Sequence, residues 1–360
     1  MLQSRRSLFL VSAAAGLNLL ACGSGSSTDQ QTQVARAMQQ SMQADLTTLA
    51  AAAAELQAAA PTPAERGWDP TLDAAALVTM KTAWIKARTS YEHVEGATAP
   101  IFPDIDLAID DRYDGFLTDL KGAGDPDPFD GEGVTGMHAI ERILYSDVIP
   151  PDVVKFESTL PGYRPAAFPS TAAEAAAFKT ALCGRLITDT QTLLQQWTPT
   201  EIDVSGAFQG LIGLMNEQHE KVNKAATGEE ESRYSQRTLG DLRANLDGTT
   251  AIYGLFRDWL KSRPADATKA GGQTGTATDA AITAGFASLR AQYAALAGDA
   301  IPAPPATWSA ETPSAADLQT PFGTLFQAVA AAVDPTRDGS VVDEMNKGAV
   351  LLGIPTFAEE

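Results

Sequence analysis

An all-α fold is predicted by three features of the chain. Apolar residues recur at three- and four-residue spacing through long segments rich in Ala and Leu. The breaks between those segments carry Pro and Gly. No series of alternating Val/Ile/Thr runs separated by hairpin turns is present, so a sheet is not expected.

The elements follow in order. Residues 34–60 place Leu46, Leu49, Ala53 and Leu56 on one helical face, and Pro61-Thr62-Pro63 ends that helix. A second helix runs from about Leu72 to Glu95, with Leu77, Met80, Trp84 and Ala87 on one face and Tyr91 and Val94 continuing it. After a break at 96–103, residues 104–120 read as helix, then 122–133 (GAGDPDPFDGEG) as a loop. A short helix is expected at 135–146, and the five prolines of 147–170 suggest an extended connector. Long helices are expected at 171–197, 204–226 and 232–262. A linker at 263–276 precedes another at 277–298, and a Pro-rich stretch at 302–313 precedes a last pair near 315–333 and 339–351. About eight long helices exceed one four-helix bundle. Two packed antiparallel bundles are the expected arrangement, with a seam in the Pro-rich connector and halves at roughly 34–165 and 166–355.

The N-terminus reads as an address. Arg5-Arg6 precedes an uncharged stretch, Ser7 to Ala21, too short to span a bilayer and laid out like a signal peptide. Residues 1–22 end in Leu19-Leu20-Ala21-Cys22, which resembles a bacterial lipobox, so Cys22 is the expected lipidation site. Ser4 to Phe9 partly resembles a twin-arginine export signal. Residues 23–33, opening with Gly23-Ser24-Gly25-Ser26-Ser27, are expected to be a flexible tether. The expected location is the outer face of the bacterial envelope, membrane-held by lipid only. Gly rather than Asp after the Cys favours the outer membrane where a cell has two. Cys183 would then be the one remaining thiol. It lies in an apolar stretch and excludes a Cys-based zinc site.

Net charge is −19, and two units more negative once Arg5 and Arg6 leave with the signal. Such a surface repels phosphate backbones, so nucleic acid is not an expected partner. It suits cations, metal ions included.

Three segments could carry chemistry. In Tyr91-Glu92-His93-Val94-Glu95, the two Glu are three apart, so on a helix they share a face. Like charges at a helix C-terminus are costly unless a cation sits between them; a solvated acidic helix end is the alternative. In Gly136-Met137-His138-Ala139-Ile140-Glu141, His138 and Glu141 are also i and i+3, suiting either a metal pair or a His–Glu hydrogen bond inside a bundle. HExxH is absent, and Arg142 stands where HxxEH would need its second His. In Gly228 to Ser235 a Glu run precedes Asp241 and Asn245, and helix capping is its alternative role. His93 is expected to point away from the paired Glu, and His219 to be solvated. Trp84 and Trp259 are expected in the core.

Together these segments resemble the imelysin family, which includes Efe-type periplasmic iron-uptake lipoproteins and was once grouped with peptidases. The resemblance rests on Gly136, His138 and Glu141, and on Tyr91, Glu92 and Glu95 followed by Asp104, Asp106 and Ile109-Asp110. It also rests on Glu231 to Ser235, Asp241, Leu242, Asn245, Leu246 and Gly248, in the family's order across about 35–260. It implies a two-bundle fold with a metal site in the cleft between the bundles. The implied ligands are Glu92, Glu95, Asp110, His138 and Glu141, with Glu231 as a further one. Gln236 departs from the His often found after Tyr-Ser in the family, and no Cys/His/Met cluster of a cupredoxin-like copper domain is present.

Carboxylates with one imidazole suit iron, Mn or Ca and leave Zn and Cu open, and the resemblance favours iron. The function expected is capture of a metal ion outside the cytoplasmic membrane for an uptake system, with a membrane permease or a peroxidase as partner. Two alternatives stay open. One is a metallopeptidase with Glu141 as base on a metal-bound water. The other is a structural or adhesive lipoprotein without metal, marked by burial of His138 away from Glu92 and Glu95.

Overall fold

A computed structural model describes residues 25–198 and 201–357. Cys22 and the signal lie outside the described residues. Among these no strand occurs, and no helix is long and apolar enough to cross a membrane.

The chain folds into helices α1 (Gly25–Ala59), α2 (Ala74–Glu92), α3 (Glu95–Thr98), α4 (Pro103–Asp110) and α5 (Tyr113–Asp119). These are followed by α6 (Gly136–Leu144), α7 (Pro151–Glu157), α8 (Ala172–Ala177) and α9 (Cys183–Trp197), the last two joined by a π-turn at Phe178–Leu182. The second half holds α10 (Val204–Lys224), α11 (Thr238–Lys261), α12 (Gly275–Ala294), α13 (Pro321–Val333) and α14 (Val341–Leu352).

Two bundles result. α1 packs along α2 and α9, with α4 and α6 against its partners; α10 to α14 pack on one another. The seam therefore falls between α9 and α10, not near residue 165 as the proline count suggested, because α9 returns to pair with α1. The connector is also less extended than expected. Pro151 opens α7, where its fixed φ and missing N–H suit a first helical turn. The tether needs a similar correction. α1 begins at Gly25, and Val34 and Met38 are already buried in the core, which draws most of the 23–33 stretch into the helix.

The periodic faces behave as expected. Leu46, Leu49, Ala53 and Leu56 are fully buried, as are Met80, Trp84, Ala87 and Val94. Burial of each large apolar side chain contributes roughly 1.5–3 kcal/mol. Trp259 and Cys183 are buried too, and burial pushes the Cys183 thiol pKa well up, leaving it inert. Across the seam α11 reaches both α1 and α2, and α10 packs on α3. The C-terminal end of α2 is thereby enclosed between the bundles.

Candidate metal centre

The site begins where α2 stops. α2 ends at Glu92, and the chain breaks at His93 and Val94 before α3 opens on Glu95. Glu92 and Glu95 thus do not share one continuous helix. Asn245 of α11 brings them together: its amide nitrogen donates to Glu92 Oε2, to the Glu92 carbonyl, and to Glu95 Oε2 at 2.9 Å. Close approach of α11 requires Gly248, since a Cβ there would lie 2.2 Å from the His93 carbonyl oxygen.

α6 supplies the imidazole. Gly136 starts it at φ +80°, where a Cβ would also meet the Ile109 carbonyl at 2.6 Å. α6 is pinned to α2 by the Trp84 indole N–H, which donates to the Met137 carbonyl at 2.9 Å. His138 Nδ1 lies 2.9 Å from Glu141 Oε2, and the other Glu141 oxygen accepts from the Ser235 N–H at 2.8 Å. The tautomer protonated at Nδ1 donates to Glu141 and turns the Nε2 lone pair toward Asp110 Oδ1, 3.5 Å away. Nε2 is buried and has no hydrogen-bond partner. Burial, then the Arg88 charge, hold the His138 pKa well below its ordinary value, so the ring is neutral.

The third wall is a turn rather than a helix. The Glu run at 229–231 does not cap a helix begun at 232. The chain turns through Gln236 at φ 55°, and α11 starts only at Thr238. Glu231 is buried by this turn, 2.8 Å from Lys221 Nζ of α10. Burial alone would raise the Glu231 pKa, but Lys221 and Arg88 pull it far below the carboxylate range.

These elements set out two groups of donors. Asp110, His138 and Glu231 offer atoms all within 4.8 Å of one another, and Glu92, Glu95 and Glu231 do the same. Glu231 belongs to both. Glu141 joins neither: it holds His138 from behind, as partners of ligating imidazoles do. The hard oxygen donors and the one orphaned imidazole nitrogen fit a metal ion.

Arg88 stands among these donors, 1% exposed, paired with Glu92, Asp110, Glu231 and Asp241. Burial works against its charge, but the four carboxylates hold its pKa well above the usual value. Burial raises Glu92 and Asp110 well above the carboxylate range, with Arg88 opposing. Sequence reasoning missed Arg88 and Lys221. The signal was there: Arg88 lies on the stripe of Trp84 and Tyr91, four residues before Glu92, so a charge sits on a buried face.

The remaining histidines stay outside. His93 is half-buried and faces Asp45 at 3.2 Å. His219 is not solvated as expected; its half-buried ring packs on Phe326, centroids 4.4 Å apart. A further acidic group, Asp338, Asp343 and Glu344, already has its cation in Lys347, 2.8–2.9 Å from each.

Comparison with known proteins agrees with this architecture. An Efem/EfeO family lipoprotein of Staphylococcus aureus strain MSSA476 is 28% identical over 183 residues, 51% of this chain and 51% of that protein. The protein of the same description from strain N315 matches to the same extent. The chain thus spans about half the length of the curated relatives it matches. The crystal structure of an imelysin-like protein from Psychrobacter arcticum 273-4 shares the fold, with a TM-score of 0.55 at 12% identity, covering 94% of this chain and 100% of that one. Residues 27–320 match Imelysin, the Peptidase_M75 family. With that match over most of its length, the chain belongs to the imelysin family.

Proposed function

We propose that this protein is a lipid-anchored, extracytoplasmic metal-binding protein that captures iron for an uptake system. The observation that carries the reading is the buried, unpartnered Nε2 of a neutral His138, facing Asp110 and Glu231. A neutral imidazole fixed by a carboxylate behind it, beside hard oxygen donors, is a ligand set for iron, with Zn, Cu or Mn as competitors. Asp110, His138 and Glu231 are the proposed primary ligands, and Glu92 and Glu95 form the adjoining carboxylate pair. Glu141 orients His138. The relatives are described as lipoproteins, which supports a lipid anchor; Cys22 is its proposed site, and a membrane permease or a peroxidase is the proposed partner.

Peptidase chemistry has less support. Glu141, the candidate base, has one oxygen engaged by His138 and the other by Ser235, so neither faces a metal-bound water.

Calorimetric titration with Fe, Zn, Cu and Mn tests the reading. One site should appear, lost in His138→Ala and in Glu231→Ala. Unchanged binding in both variants would end the assignment. Separately, Cys22→Ser should move the protein from the membrane fraction to the soluble one.

A further inference from the structure

The carboxylates proposed to hold the metal already hold a cation. The Arg88 guanidinium pairs through Nη1 with Asp110 and through Nη2 with Glu92 and with Glu231, the last at 2.9 Å. Its Nε lies 3.6 Å from Asp241. Neither Nε nor Nη2 makes a well-aligned hydrogen bond. The guanidinium therefore acts here chiefly as a charge among charges, not as the locked fork of a structural Arg–carboxylate pair. Around it, Glu92 Oε1 and Glu231 Oε2 are held by ion pairs, to Arg88 and to Lys221, rather than by aligned hydrogen bonds, and His138 Nε2 has no hydrogen-bond partner. Two of its four acids, Asp110 and Glu231, are proposed ligands of the His138 site, whereas Glu92 and Asp241 do not join that group.

We infer that Arg88 is a built-in competitor for the metal: its guanidinium occupies the carboxylates of the metal-free site and withdraws toward Glu92 and Asp241 when an ion enters. This rests on the metal-binding reading above and adds how loading is regulated. The always-charged side chain keeps the buried acids from repelling one another while no ion is bound. It also weakens the grip on the ion, which a protein that must hand its cargo onward requires. The two occupants are then thermodynamically opposed, and removing one strengthens the other.

The test compares wild type with Arg88→Met, of similar length and no charge, by calorimetry with Mn and Zn. Arg88→Met should bind about tenfold more tightly, within the usual range of coupling between opposed occupants. The metal-free variant should also unfold earlier than wild type and recover on metal addition. Equal or weaker binding by folded Arg88→Met overturns the inference. A second measurement uses the wild type itself, labelled at arginine nitrogen, with the Arg88 resonance assigned through Arg88→Lys. Its Nε–H signal should shift on metal addition, and a signal unmoved at saturation overturns the inference even if Arg88→Met fails to fold. Should wild type bind no metal while Arg88→Met does, the competitor role stands and metal capture by the wild type falls. If neither binds, both fall.

Discussion

His138 Nδ1 and Glu141 Oε2 lie 2.9 Å apart on one face of α6, so Glu141 holds the ring that the proposed site uses as a ligand. Glu141→Ala should therefore weaken metal binding by roughly 10–100-fold without abolishing it, the usual loss when an imidazole's supporting partner is removed. Glu141→Gln, which keeps a side-chain oxygen to accept from Nδ1–H, should lose less. Complete loss of binding in Glu141→Gln, measured by calorimetry, would make Glu141 a direct ligand.

Asn245 is fully buried and joins Glu92 to Glu95. Asn245→Ala leaves both carboxylates without that donor, at a cost of about 1–3 kcal/mol in the metal-free protein. Urea unfolding should show the loss, and a saturating metal ion should recover part of it. Recovery would not occur if Glu92 and Glu95 lay outside the ion's reach.

The metal-free protein should lose stability as pH rises. Burial pushes the Glu141 pKa up to about 8, and those of Asp106 and Glu230 up to about 7. Glu92 and Asp110 are raised as well; the lowered Glu231 acts only below the ordinary carboxylate range, and His138, held well below its ordinary value, opposes in the acid part of the range. An acid whose folded pKa is raised binds more protons folded than unfolded. Its stabilising effect is present below the ordinary carboxylate range and is lost as pH climbs toward the folded value. The melting temperature without metal should fall by roughly 5 °C or more between about pH 5 and pH 8. With metal bound the trend should flatten or reverse, because binding displaces protons. A metal-free melting temperature that rises across this window contradicts the arrangement.

Gly248→Ala would set a methyl 2.2 Å from the His93 carbonyl, a backbone atom that cannot move alone. The helices must part, costing about 1–3 kcal/mol or more. Asn245, one turn before, moves with α11, so metal affinity should fall together with stability. Denaturation and titration of the same sample check the coupling.

Helix positions were readable because burial follows a 3.6-residue period, and Leu77, Met80 and Trp84 lie where that period puts them. The break at His93 was not readable, since Tyr91 to Glu95 carries neither Pro nor Gly. The late start of α11 was hidden likewise: Glu229 to Ser232 has the composition of a helix start, and only tertiary pairing with Lys221 and Arg88 turns it inward. In the site the acids and His138 stood out as residue types. The two cations did not, because a lone Arg or Lys in a helical sequence usually means a wet surface, and only the place of Arg88 on the stripe of Trp84 and Tyr91 marks it as buried.

α11 touches the first bundle while belonging to the second, and the polar cluster draws Asp110 and His138 from one and Lys221 and Asn245 from the other. Neither half, cut free between α9 and α10, retains the whole cluster. Under the proposed function, an ion held there would act as a rivet: while it stayed, the two lobes would be fastened, and prising them apart would be one way to let it go.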